Sequence, residues 1–386
     1  NDIKVIVGNH VDDILWAATP CYEFVLDQLL SQYQVKKIHE DKFKFCGREY
    51  EQYADYSVFI SCLENTENIL PINFNRTGRD PESKATDGEI SQLRSVNGSL
   101  SWIARQCRIE LGYQTSKLKS VEAVAQVKHL DACNTLLREA KETASQGLLY
   151  KSGAFDFNKA VMLSISDASW ANDSKIVECK VFPKRSQYGR ITALADPKLW
   201  DAEEGVIHFI GSWSSLIKRV CRSTFRAETH AMIYATEASD KIRAIITDLR
   251  GKYQKQNWEA VSAQEVPGVW MTDCQSLSDY LVNPTANGSE DKRLEIDLED
   301  LRERLWEDPN GSLKDEISEA QTDKVRWIDT STMICDPLTK SGPANFPERL
   351  RRTMSTGILD LTATKESVLK KMQQQKARLS KILGGD

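Results

Sequence analysis

The chain has no C-x-x-C pair and only five histidines, which excludes the common zinc spacings and any histidine-rich metal centre. Its nine cysteines fall at irregular intervals. They are expected as reduced, mostly buried thiols of a cytoplasmic or nuclear protein, not as a disulfide framework. No apolar run approaches the length of a membrane span, and no secretory leader pattern is present. Internal repeats and low-complexity tracts are missing too. Positive charge is in deficit: 51 Lys and Arg against 56 Asp and Glu leave a formal net charge of −5. A nucleic-acid partner therefore requires local basic patches or metal-bridged phosphates. What remains is an ordinary globular composition, 40% apolar and 28% charged over 386 residues, enough for two or three domains. Asn1 falls in mid-strand, so the chain reads as a piece of a longer one.

Periodicity supplies the organisation. VIVGNHVDDILWAATP (5–20) has a strand–turn–strand pattern, and CYEFVLDQLLSQYQV (21–35) has helical apolar spacing. KFKFCGREYEQYADYSVFISC (42–62) alternates like a pair of strands, and the polar stretch 71–89 reads as a linker or long loop. Two helical segments follow, 89–120 and 120–142, and the glycines of QGLLYKSGAFD break the pattern near Gly153. Beyond it, AVMLSISDASW (160–170), KIVECKVF (175–182) and GVIHFIGSWS (205–214) are expected as strands, with LADPKLWDAEE (194–204) as a loop. Ala231, Ala235, Ala238, Ile242, Ile245 and Leu249 recur at helical spacing and predict a long helix from Ser223 to Arg250. PGVWMTDCQSLSDYLV (267–282) predicts a strand running into a helix, EDKRLEIDLEDLRERLWE (290–307) an amphipathic helix, and DKVRWIDTS (323–331) a strand. The end, KESVLKKMQQQKARLSKIL (365–383), reads as a basic helix.

Carboxylates stand at telling places in this order. Asp167 ends an apolar strand, Glu228 lies early on the long helix, Asp273 follows VWMT, and Asp336 lies just past the last strand. Acids at the ends of core strands are costly unless positive charge compensates them. Two Mg²⁺ ions, replaceable by Mn²⁺, supply that charge with substrate phosphate completing each shell. Taken singly, each acid also fits a cap or a surface position. The adjacent Asp12 and Asp13 pose the same choice, between a nucleotidyl-transfer metal pair and a solvated hairpin tip.

These motifs, taken together, resemble the C-terminal part of copia-type LTR-retrotransposon polyproteins: the end of the reverse transcriptase followed by its ribonuclease H domain. HVDDIL (10–15) is similar to the family's Y-V-D-D-I-L hairpin, with His10 at the tyrosine position. VNGSLSWIARQCRIELGYQTSKL (96–118) resembles the family's V-G-S-L…R-P-D-I segment, with Ile109 and Glu110 at the P-D positions. SISDASWAND, STFRAETHA, TDCQSLSDYLVNP and CDPLTK resemble the ribonuclease H motifs in order. The resemblance carries the catalytic, metal-ligating roles onto Asp167, Glu228, Asp273 and Asp336, and it makes Asp12 and Asp13 a remnant polymerase metal pair. Ser169 stands where the family has a second Asp, and LEIDL keeps Asp297 while lacking the family's Lys-His.

The resemblance implies an α/β ribonuclease H-like mixed sheet with flanking helices over 153–345. An α+β remnant of the polymerase palm and thumb–connection region precedes it over 1–152, and a helical tail follows over 346–386. The implied reaction is metal-dependent hydrolysis of the RNA strand of an RNA–DNA hybrid, without polymerisation, membrane or small-molecule cofactor. A further expected partner is the N-terminal part of the polyprotein. Lys218, Arg219 and Arg222, beside Trp213 in GSWSSLIK, and Lys292 and Arg293, just before LEIDL, are candidate phosphate contacts. The rival expectations are a catalytically decayed, nucleic-acid-binding remnant and a purely structural polyprotein domain.

Overall fold

The computed structural model describes residues 3–177, 180–283, 291–306, 323–340 and 345–373. The chain opens with β1 (Val5–His10), β2 (Asp13–Ala18) and α1 (Glu23–Leu30). It continues through β3 (Lys42–Phe45), β4 (Arg48–Gln52), β5 (Val58–Ser61) and α2 (Leu63–Asn68). Three helices follow, α3 (Asp87–Gln106), α4 (Gly112–Val121) and α5 (Val127–Glu142), and then β6 (Gly147–Tyr150). The second half runs β7 (Val161–Val177), β8 (Lys180–Ala195), β9 (Glu204–Leu216), α6 (Thr224–Leu249) and α7 (Trp258–Glu265). It ends with β10 (Gly268–Thr272), α8 (Gln275–Val282), α9 (Lys292–Trp306), β11 (Asp323–Trp327), α10 (Asn345–Thr356) and β12 (Ile358–Asp360).

The protein is mixed α/β. A curled six-stranded sheet has the order β11-β10-β7-β8-β9-β12. Strands β11, β10 and β7 run parallel, whereas β7, β8, β9 and β12 alternate in direction. Helices cover both faces, so successive β7 residues point to different layers. Leu163 and Ile165 enter the main core with Leu93, Leu100 and Leu137 from the α3–α5 layer. Ser164 and Ser166 face α6 instead, with Ser164 Oγ 2.6 Å from Ser239 Oγ. That core is continuous across residue 153, since it joins side chains from α3 and α5 to β7, β9 and β10.

Several expectations change. The helical run 89–120 breaks at Cys107 because Arg108 is wholly buried. Its guanidinium donates to Glu110 at 2.8 Å, to the Ala140 carbonyl at 3.0 Å and to Thr143 at 2.6 Å. Those partners are out of reach of a straight helix. QGLLY, expected as a break, contains β6, which completes a four-stranded sheet by pairing with β5. Gly147 permits that pairing, since a Cβ there would lie 2.3 Å from the Ile60 carbonyl oxygen. The segment 175–182, expected as one strand, straddles the β7–β8 hairpin, and 178 and 179 lie outside the described residues. The expected loop 194–204 contains a short 3-10 helix, Pro197–Trp200, that buries Leu199.

On α6 the apolar stripe is not the buried face throughout. Ile245 and Leu249 are exposed, while Ser239 and Arg243 are buried. Arg243 is tolerated inside because its guanidinium donates to Asp323 at 2.6 Å. The tail is not purely helical either, for β12 pairs with β9 at the sheet edge. Residues 365–373 are helical and anchored, with Lys371 2.5 Å from Asp329. The rest of the expected basic helix lies outside the described residues.

Candidate metal centre

The register of the parallel pair builds the centre. Met271 on β10 lies opposite Ile165 on β7. Two residues further along each strand come Asp273 and Asp167, on the same face at the same sheet end. Helix α6, capped by Ser223 accepting the Arg226 N–H at 3.2 Å, crosses that end and delivers Glu228. Ligand atoms of Asp167, Glu228 and Asp273 all lie within 4.8 Å of one another. Asp167 and Glu228 are buried, and Asp273 is partly so.

This convergence perturbs the carboxyls. Burial first, and then repulsion from Asp167 and Asp273, push Glu228 well above the usual carboxylate range, although its carboxylate accepts the Ala168 N–H. Its Oε2 has no hydrogen-bond partner. Burial and the Asp167 charge raise Asp273 to about 6, opposed by the Thr330 hydroxyl and Lys340. Thr339 donates its hydroxyl to Asp167 Oδ2 and so fixes that side chain.

Asp336 stands beside the trio, on the turn Asp336–Leu338. It is completely buried, and burial together with the Asp167 charge raises it to about 8. Its Oδ1 lies 2.7 Å from the Lys340 ammonium. Burial alone would lower the Lys340 pKa, but the carboxylates of Asp167, Asp336 and Asp273 outweigh it and raise it. The role of Lys340 escaped the sequence reading. The signal was there in CDPLTK, where an acid and a lysine stand four residues apart.

The donor set is all carboxylate oxygen, which suits a hard divalent cation and not a soft one. A nine-tenths-buried carboxylate oxygen without a partner, Glu228 Oε2, gives independent reason to expect a cation there.

Other expected residues fall elsewhere. Asp12 and Asp13 lie exposed at the tip of the β1–β2 hairpin, a separate two-stranded sheet. They belong to no acidic group of three among the described residues. Ser169 is buried with its hydroxyl unpartnered. Lys218, Arg219 and Arg222 are exposed on the β9–α6 loop, and Lys292 and Arg293 are exposed on the first turn of α9. Arg219 joins these two basic segments through Asp297, at 3.4 Å, and Arg226 on α6 pairs with Asp291. Trp213 is half-buried beneath the Arg105 guanidinium, 4.1 Å from its ring centroid.

No protein-family model and no curated protein matches this chain. The geometry defines the class: a mixed α/β protein with a largely buried acidic trio just past the end of the parallel β7–β10 pairing.

Proposed function

We propose that the protein is a metal-dependent ribonuclease that hydrolyses the RNA strand of RNA–DNA hybrids, in a ribonuclease H-like fold, and that it derives from a copia-type polyprotein. The observation that carries the reading is the convergence of Asp167, Glu228 and Asp273 with a Glu228 oxygen left unpartnered. The element order β7, β8, β9, α6, α7, β10, α8, α9, β11 supports it: it keeps the three strands, helix, strand, helix, strand expected from sequence, with α7 added after α6 and α9 following α8.

Asp167, Glu228 and Asp273 would hold Mg²⁺ or Mn²⁺, and Asp336, outside that converging group, would serve a second ion. Divalent metal supplies activation of the attacking water and stabilisation of the leaving 3′ oxygen. The chain's own residues do the rest. Thr339 holds Asp167 in one orientation, Lys340 holds Asp336, and the basic pair of segments at 218–222 and 292–293 offers phosphate contacts that fix the strand's register. Polymerisation is not supported, since Asp12 and Asp13 are exposed and belong to no acidic group of three among the described residues.

Incubating the full chain with labelled hybrid and Mg²⁺ tests this. RNA cleavage that spares double-stranded DNA is expected. No cleavage in either Mg²⁺ or Mn²⁺ would favour the decayed-remnant reading, for which the specific observation is the buried, unpartnered Ser169 at the position of a family Asp.

A further inference from the structure

We propose that the cavity between α3, α4 and β9 is a phosphate site that holds a phosphodiester of the nucleic-acid strand lying across the acidic centre. This deepens the ribonuclease reading and rests on it. The cavity has a volume of about 150 Å³ and lies where the first helical layer meets the sheet. That is room for a tetrahedral oxyanion and attendant water.

Its lining is rich in donors, beside Ala104, Gly112 and Leu338. Arg105 and Lys119 border it, and no carboxylate does. Neither cation has a carboxylate partner among the described residues, and the hydroxyls of Ser101, Ser212 and Ser215 have no hydrogen-bond partner there. Arg105 is nevertheless oriented, because its guanidinium lies over the Trp213 ring. The floor is fixed by Gln187, which donates to Ser116 at 3.1 Å and to Ser214 at 2.7 Å, while Ser214 donates to the Leu338 carbonyl at 2.6 Å. Cations without counter-charges beside hydroxyls without partners are groups arranged for an anion.

The link to the acidic centre is the Asp336 turn. Leu338 lines the cavity, while its neighbours Asp336 and Thr339 face Asp167. Gly189 lets this turn settle onto β8, since a Cβ there would lie 2.5 Å from the Leu338 Cβ. The cavity and the acidic trio are thus built on opposite sides of one short turn. Free phosphate would present the same tetrahedral oxygens, so the test separates the two sources.

Full-length protein carrying Asp167→Asn, which keeps a hybrid intact, is compared with the same protein also carrying Arg105→Ala and Lys119→Ala. Fluorescence anisotropy with labelled hybrid should show roughly tenfold weaker binding after the double change, and a log K against log salt slope shallower by about one. Arg105→Lys with Lys119→Arg should restore most of the affinity, and unchanged circular-dichroism melting would show that the fold persists. Equal affinity and slope in all three proteins would overturn the proposal. So would a melting shift by inorganic phosphate that depends on Arg105 while hybrid affinity does not, which would mean a free-anion site. The ribonuclease reading is scored separately, by cleavage with the unaltered chain. Hybrid binding that depends on Arg105 in a protein that never cleaves would uphold the phosphate site and overturn the nuclease.

Discussion

The Lys340 ammonium lies 2.7 Å from Oδ1 of Asp336, four residues earlier, and it is the cation built into the acidic centre. Asp336 is wholly buried while Lys340 retains 36% of its side-chain exposure, so the pair reaches from the interior to solvent. Three further carboxyls crowd the same centre, and Glu228 Oε2 remains without a hydrogen-bond partner.

Lys340→Met tests the pair. Above about pH 8, where Asp336 is ionised, removing the ammonium leaves it buried without its counter-charge, a loss of several kcal/mol for a fully buried pair. Solvent screening at the exposed lysine reduces this to about 1 kcal/mol. Urea unfolding in chelator should report that decrease. An unchanged midpoint would mean that the pair contributes nothing to the metal-free fold.

Metal-free stability should depend on pH in a stated direction. Asp273 and Asp336 are raised to about 6 and about 8 from an ordinary 3.8. Groups raised in the folded state contribute stability that is complete below about pH 4 and is lost as pH climbs through their folded values. Stability should therefore fall between pH 4 and 8, by about 1.4 kcal/mol per pH unit for each proton that the folded state still holds and the unfolded chain has lost. Denaturation series in chelator should show the fall, and Asp336→Asn should flatten its upper part, between pH 6 and 8. Added Mg²⁺ should counteract it, because cation and protons compete for the same oxygens. A flat profile in chelator would contradict the crowding of these acids.

Asp167→Asn separates a metal centre from coincident acids. Neutralising one member relieves repulsion, so the metal-free protein should be as stable or gain about 1 kcal/mol. The Thr339 hydroxyl still finds an acceptor in the Asn amide oxygen. Mg²⁺ should raise the melting temperature of the parent protein but no longer that of the variant, and hydrolysis should drop by orders of magnitude. A destabilised variant that keeps the full Mg²⁺ shift would remove Asp167 from the ligand set.

Arg108→Ala addresses the fold. Both Arg108 and Glu110 have essentially no side-chain exposure, and the substitution leaves the buried Glu110 carboxylate with only Arg351, 4.0 Å from its Oε1, while Glu110 Oε2 already lacks a partner. A loss of about 3–5 kcal/mol is expected, read from denaturant midpoints. Arg108→Ala with Glu110→Ala should recover part of it, since no charge is then left buried alone.

Local periodicity in the sequence determined much of the mixed α/β layout. The alternation in AVMLSISDASW and the long helical spacing after Ser223 name β7 and α6, because a strand repeats every two residues and a helix every 3.6. The positions of Glu228 early on α6 and Asp273 just past β10 were legible for the same reason, whereas Asp167, expected at a strand end, lies within β7, which runs on to Val177 beside β8. Their meeting was not. It depends on β10 pairing in parallel with β7 across more than a hundred residues, a register that no local pattern specifies. Tertiary structure likewise decided that β6 and β12 are strands, since both are short and stabilised by partners elsewhere in the chain. It decided the break at Arg108 and the burial of Arg243, where buried ion pairs override apolar spacing. Burial also turned Lys340 from one more charge near the end of a motif into the counter-ion of Asp336, because only a folded interior removes the water that would otherwise screen it.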